Sequence, residues 1–184
     1  MREKINSKSG FTLVEMLAAV AVLMLLTMML GTGIQMALNS YRTMIAQAEV
    51  ELLVSTAVDA LADDLRFARD VKADPVSKKL TSYTSDSFGE NTELALGETG
   101  SDNEGQIMAS GKRFLSTGAY GAKVDGNKRA YRITDMTIKY NEAKNTFNIQ
   151  LTVKTADEKI SAGTPKNEDG EDIGVTVRCL NPAK

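Results

Sequence analysis

Histidine is absent from the 184 residues of this chain. That removes Ser-His and Cys-His nucleophile dyads, histidine metal sites and histidine proton shuttles. A single cysteine, Cys179, excludes an internal disulfide and a thiolate zinc cluster. Tryptophan is missing, and no GxxxxGK(S/T), GxSxG or GxGxxG run occurs; Gly31-Thr32-Gly33 sits in an apolar segment and is no phosphate loop. Charge of one sign is not in excess either: 22 basic residues face 24 acidic ones, a net −2, too balanced for a generic polyanion binder. What remains is 42% hydrophobic and 25% charged, enough for a packed core. The length suits one domain with an appendage. The expectation is a protein that is not an enzyme, since a secreted enzyme would have to rely on unaided carboxylates and no such pair stands out.

The averages hide an asymmetry. Residues 1–10 carry Arg2, Lys4 and Lys8 against Glu3, a net +2. From Met16 to Tyr41 there is no charge over 26 positions, and six of the nine methionines fall between Met16 and Met44. About 20 apolar residues cross a bilayer. The basic flank comes first, which keeps residues 1–10 cytoplasmic and places the rest outside. A secretory signal peptide has a shorter apolar run and a small-residue cleavage site. Here the run is longer and the Leu30–Gly33 region is a poor match. A plain signal anchor is a second reading.

The junction supplies a third. Ser9-Gly10-Phe11-Thr12-Leu13-Val14-Glu15 resembles the type III signal sequence of type IV pilins and pseudopilins. The resemblance is strong over residues 1–40 and loose beyond. It implies that prepilin peptidase cuts between Gly10 and Phe11 and methylates Phe11. Removing the +2 leader would leave 174 residues with a net charge of −4. It further implies other pilin or pseudopilin subunits and an inner-membrane assembly platform as partners, beside membrane lipid, and no cofactor. The subunit would sit in the cytoplasmic membrane, single-pass with its head outside, and then enter a cell-surface or periplasmic filament. The rival is a signal-anchored extracellular binding domain that never polymerises.

Glu15 carries two readings. Thr12-x-x-Glu15 has capping-box spacing, and a glutamate suits a helix N-terminus. Yet a charge at the centre of a membrane helix costs about 2.5–3.5 kcal/mol, less near its end, and so asks for a reason. The resemblance implies one: Glu15 accepts the Phe11 amine of a neighbouring subunit and fixes the axial register. Both can hold, before and after assembly.

Beyond Tyr41 the helical pattern continues. No Gly or Pro occurs from Arg42 to Ala73, and Val50, Leu53, Val54, Ala57, Val58, Leu61, Leu65 and Ala68 form an i, i+3, i+4 stripe. Asp74-Pro75 is the expected stop. The expected organisation is a leader at 1–10, a membrane and filament-core helix at 11–41, an amphipathic half at 42–73, and an extracytoplasmic β-rich head at 74–184. A continuous helix from Phe11 would run about 60 residues and 90 Å. Gly31 and Gly33, near its midpoint, suit either a bend or close packing of helices in the membrane.

Residues 75–130 read as loops with short strands near Thr92–Leu96, Gln106–Ala109 and Arg113–Ser116. Then Met136, Ile138 and Tyr140 alternate with polar residues, as do Phe147, Ile149, Leu151 and Val153, and finally Ile173, Val175, Val177 and Cys179. Period-two alternation predicts three half-buried strands in an antiparallel meander. Their apolar face needs a cover, and the 50–68 stripe is the natural one. The fold class expected is α+β, a long N-terminal helix on an antiparallel sheet, which is also the pilin fold. Cys179 reads as a small core residue. Many pilins staple a C-terminal loop with a disulfide; here packing or an ion must hold it. That and the loop-rich middle lean towards a minor pilin or pseudopilin.

Charge falls in blocks. Asp86, Glu90, Glu93, Glu98, Asp102 and Glu104 lie in a stretch without bases. Lys112, Arg113, Lys123, Lys128, Arg129 and Arg132 follow, with Asp125 the one acid among them. Solvated loops, complementary faces between subunits, and DNA contact with Phe114, Tyr120 and Tyr131 as stacking groups are three readings. Asp169, Glu171 and Asp172 crowd oxygen donors into one loop. A calcium site there would need 6–8 oxygens; a polar turn is the plainer account.

Overall fold

The computed structural model describes residues 12–125, 128–166 and 173–181, without the side chains of Asp125 and Lys128. The chain forms two compact units, residues 1–43 and 44–184. Helix α1 (Leu13–Arg66) begins in the first and ends in the second.

In the second unit the helix is amphipathic. Val50, Leu53, Ala57, Val58, Leu61 and Leu65 are buried, at the spacing the stripe foretold. After it come β1 (Arg69–Ala73), β2 (Leu80–Ser85), β3 (Gly89–Thr92), β4 (Leu94–Leu96), β5 (Ile107–Ala109), β6 (Lys112–Arg113), a 3-10 turn (Thr117–Tyr120), β7 (Lys123–Asp125) and β8 (Lys128–Arg129). The long strands β9 (Tyr131–Asn141) and β10 (Thr146–Thr155) precede the short β11 (Ser161–Gly163) and β12 (Val175–Arg178). All named pairings are antiparallel.

The main sheet is centred on β10. One edge carries β9 along the whole strand; the other carries β12 against Thr146–Ile149 and β11 against Thr152–Lys154. The predicted three-strand meander therefore gains a fourth strand. Opposite Thr152 and Val153 the β9 register skips Thr134. That extra residue reverses which parity faces inward, so both Ile133 and Ile138 are buried. Phe147, Ile149, Leu151 and Val153 of β10 join them with the α1 stripe in one core. Each such side chain contributes roughly 1.5–3 kcal/mol on burial. Smaller sheets β1–β2–β3 and β4–β5–β6 flank this core. Asp64 of α1 ties down the first: it accepts the Tyr83 hydroxyl, and the Ser85 hydroxyl at 2.7 Å. Burial and the neighbouring carboxylate push the Tyr83 phenol well above its ordinary value.

The helix stops at Arg66, eight residues before the expected Asp74-Pro75. Residues 69–73 are strand instead, paired with β2. The stop comes from far along the chain. Helix ends leave carbonyls without partners, and residues 179–181 supply them. Leu180 N–H donates to the Arg66 carbonyl at 2.8 Å, and Asn181 Nδ2 to Phe67 at 2.8 Å. The Cys179 thiol lies 3.3 Å from the Ala68 carbonyl. Asn145, in the β9–β10 turn, secures this clamp from the other side. It accepts the Cys179 N–H at 3.0 Å through its carbonyl and donates Nδ2 to the Cys179 and Asn181 carbonyls, each at 3.2 Å. Cys179 is buried and unpaired, as a core residue, and burial raises its thiol pKa. Packing or an ion is the expected hold on the C-terminal segment; at residues 179–181 a hydrogen-bonded clamp supplements the packing of Cys179.

Cys179 is also a built-in probe, since the protein has no other thiol. Replacing Asn145 by Ala removes a donor to the Cys179 and Asn181 carbonyls and the acceptor of the Tyr140 hydroxyl, at about 1–3 kcal/mol. The labelling rate of Cys179 by a maleimide in the full chain should rise roughly tenfold or more under native conditions. Ser101→Ala, remote from the clamp, should leave that rate unchanged.

Candidate functional site

In the first unit every residue from Thr12 to Thr43 is exposed. The helix is long and apolar enough to cross a membrane, and none of its apolar window is buried. A helix apolar all round with nothing packed on it requires a non-aqueous surrounding. Thr12 caps its start. The Thr12 carbonyl accepts the first helical bond from Met16 N at 3.1 Å. Glu15 Oε2 accepts both the Thr12 N–H and the Thr12 hydroxyl at 2.9 Å, and Glu15 N lies 3.3 Å from Thr12 Oγ1. This is the reciprocal capping box. Both contacts fall on Oε2, so Oε1 has no hydrogen bond among the described residues. Gly10 and Phe11 lie outside the described residues.

Within the apolar run the hydroxyls turn back on the helix. Thr27 donates to Met24 O at 2.8 Å and Thr32 to Met29 O at 3.0 Å. The side chains of Gln35 and Asn39 have no such partner among the described residues. They lie on one i+4 row with Glu15, Ala19, Thr27 and Gly31. The helix runs through Gly31 and Gly33 without interruption, and a Cβ at either would meet nothing within 4 Å.

The two charge blocks of the second unit meet at two ion pairs, and other bases are held by neutral groups. Lys123 pairs with Asp102 at 2.8 Å, and Arg113 Nε donates to Asn103 at 2.9 Å. Arg129 Nη1 donates to the Gly121 carbonyl at 3.2 Å. Arg132 holds Glu104 at 3.0 Å through Nη1 and Glu158 through Nη2. Arg132 and Glu104 are only 13% and 10% exposed, so this is an internal bridge from the acidic loop to the sheet. Gly105 permits it: a Cβ there would fall 2.5 Å from the Arg132 Cβ, at φ +69°. Lys112 lies exposed on β6 and Lys128 is placed on β8.

The aromatics proposed as stacking groups are taken. Tyr120 is fully buried, with its hydroxyl accepting the Ile107 N–H at 2.9 Å, so it offers no face to a base. Burial pushes its phenol up to about 12. Phe114 stacks on Phe88 at 5.2 Å, and Tyr131 is engaged with Glu49. Asp169, Glu171 and Asp172 lie outside the described residues. Among the described residues no group of three or more acids or cysteines is placed to hold a metal ion. Sequence reasoning missed the Arg132 bridge, because Glu104 and Glu158 stand 28 and 26 residues away from it in the chain.

Residues 5–31 match the family model described as the prokaryotic N-terminal methylation motif. No curated protein and no solved structure matches the chain. The functional segment indicated is therefore the N-terminal one, and its motif is of the kind that type IV pilin-like proteins carry. The motif points to a membrane-anchored structural subunit.

Arg132→Ala removes the charge that balances a buried Glu104 and should destabilise the head by about 3 kcal/mol. Lys123→Ala breaks an exposed pair and should cost less than about 1 kcal/mol. Denaturant titration of the full chain in detergent separates the two.

Proposed function

We propose that this pilin-like chain is a structural subunit, a minor pilin or pseudopilin, of a type IV pilus or of a type II secretion or competence filament. The carrying observation is the apolar surface of α1 from Leu13 to Thr43, exposed all round. At 1.5 Å per residue that length is about 46 Å, against a hydrocarbon core of about 30 Å. Met36, Leu38 and Tyr41 fall beyond the first 22 helical residues and remain exposed. Lipid covers the earlier part; like helices from neighbouring subunits cover the whole.

In this reading prepilin peptidase cuts between Gly10 and Phe11 and methylates Phe11. Residues 1–10 stay in the cytoplasm and the head is outside. Glu15 serves twice. In the lone subunit its Oε2 completes the cap on Thr12. In the filament its spare Oε1 receives the charged Phe11 amine of the adjacent copy, and a charge pair in low dielectric fixes the axial stagger. Gln35 and Asn39 add hydrogen-bonding groups to the same row, of the kind that joins helices in apolar surroundings.

The test is the N-terminus of the protein recovered from its membrane, together with filament yield. Intact mass and peptide sequencing should give a methylated Phe11 start. Glu15→Ala should cut incorporation into filaments at least tenfold while Cys179 stays protected. A Met1 start, or unchanged incorporation of the Glu15 variant, would return the chain to a signal-anchored domain that does not polymerise.

A further inference from the structure

Four bases of the 112–132 block, Arg113, Lys123, Arg129 and Arg132, are engaged within the second unit. A separate basic groove forms where Lys78, remote in sequence, meets Lys139 and Lys144 of the β9–β10 hairpin. Lys78, Lys139 and Lys144 line a cavity of about 560 Å³ with Asn141, Asn148 and Thr146. The β9–β10 turn and the turn before β2 build it: Tyr140 N–H donates to the Lys78 carbonyl at 2.8 Å, and Lys79 bridges Lys139. The three lysines are exposed and form no ion pair among the described residues. Glu142 is the one acid in the lining. The groove keeps a net positive charge.

Its counterpart lies on a different element. Glu51, Asp59 and Asp63 share one i+4 row of α1 with Ser55, all four exposed. Gln47 and Ser55 hold Glu51 and Asp59 by hydrogen bonds that leave their charges in place. Arg66 offsets only Asp63, across an exposed 3.5 Å contact. From Val50 to Arg66 the helix carries four acids and one base.

We propose that the Lys78/Lys139/Lys144 groove of one copy docks on the Glu51/Asp59/Asp63 row of the next, a contact between adjacent subunits that deepens, and rests on, the filament reading. Each copy carries both patches, so its groove can engage one neighbour while its acidic row engages another. Such a heterologous contact repeats along an open helix when its rotation does not close into a ring. One exposed pair contributes little; three repeated at every subunit bias assembly and its salt dependence. Opposite charge on two faces of the same chain is the argument for a second copy as occupant, in preference to a polyanion.

The test uses the full chain in the cells that produce it. Lys139→Glu with Lys144→Glu should lower filament yield at least tenfold. Adding Asp59→Lys and Asp63→Lys in the same chain should restore at least half of it. The milder Lys139→Gln with Lys144→Gln should give a smaller loss, about threefold, and filaments less sensitive to salt. Cys179 protection reports that each head is folded; should the Glu pair unfold it, the Gln pair decides. Wild-type yield from a folded lysine variant overturns the docking and leaves the filament reading intact. So does a loss that acid reversal cannot rescue, or a variant that assembles normally but no longer retains duplex DNA. Absence of filaments from the unaltered chain, despite a methylated Phe11 start, overturns both.

Discussion

Seven small and medium apolar side chains from Val50 to Ala68 form the surface on which the head is assembled. They sit at helical spacing on one face of α1, and that face is the roof over β9 and β10. Take the stripe away and the inward residues of β10 lose their cover, as do Tyr83 and Ile107 from the smaller sheets. The geometry of the helix thus dictates the sheet: strands must present apolar residues at period two towards a rod that presents them at period 3.6. The bulge at Thr134 is one adjustment this demands, since without it Ile133 would point to solvent.

The same helix obeys a different rule over its first half. There no face is buried, and the few polar side chains include Glu15, Thr27, Gln35 and Asn39 on one i+4 row. Its threonine hydroxyls are turned back on the backbone at Thr27, Thr32 and Thr43. Glu15 instead turns to the helix start and caps Thr12. The chain therefore carries two kinds of surface on one continuous element, with the N-terminal methylation motif at the apolar end.

Much of this was legible before any coordinates. The N-terminal motif, the Thr12–Glu15 box, the stripe and the alternating strands are local patterns, and local patterns are what periodicity reads. The illegible parts share one cause: they depend on pairs remote in sequence. Nothing near Arg66 announces a helix end, because its capping groups are at 179–181. Nothing in the 112–132 block reveals that Arg132 is spoken for, because its partners are Glu104 and Glu158. Short strands such as β1, with Lys and Asp among its five residues, have too little alternation to declare themselves. Tyr120 looked like a free aromatic among bases and is instead a core residue.

The clamp at residues 179–181 bears on the order of events as well as on stability. A helix terminus that waits for partners more than a hundred residues downstream cannot be completed during synthesis of its own segment. If α1 is lodged in the membrane early, its outer end stays open while the remaining chain is still being threaded across. Closure then falls to residues 179–181, so the head cannot be completed before they arrive. Long-range closure of this kind slows folding.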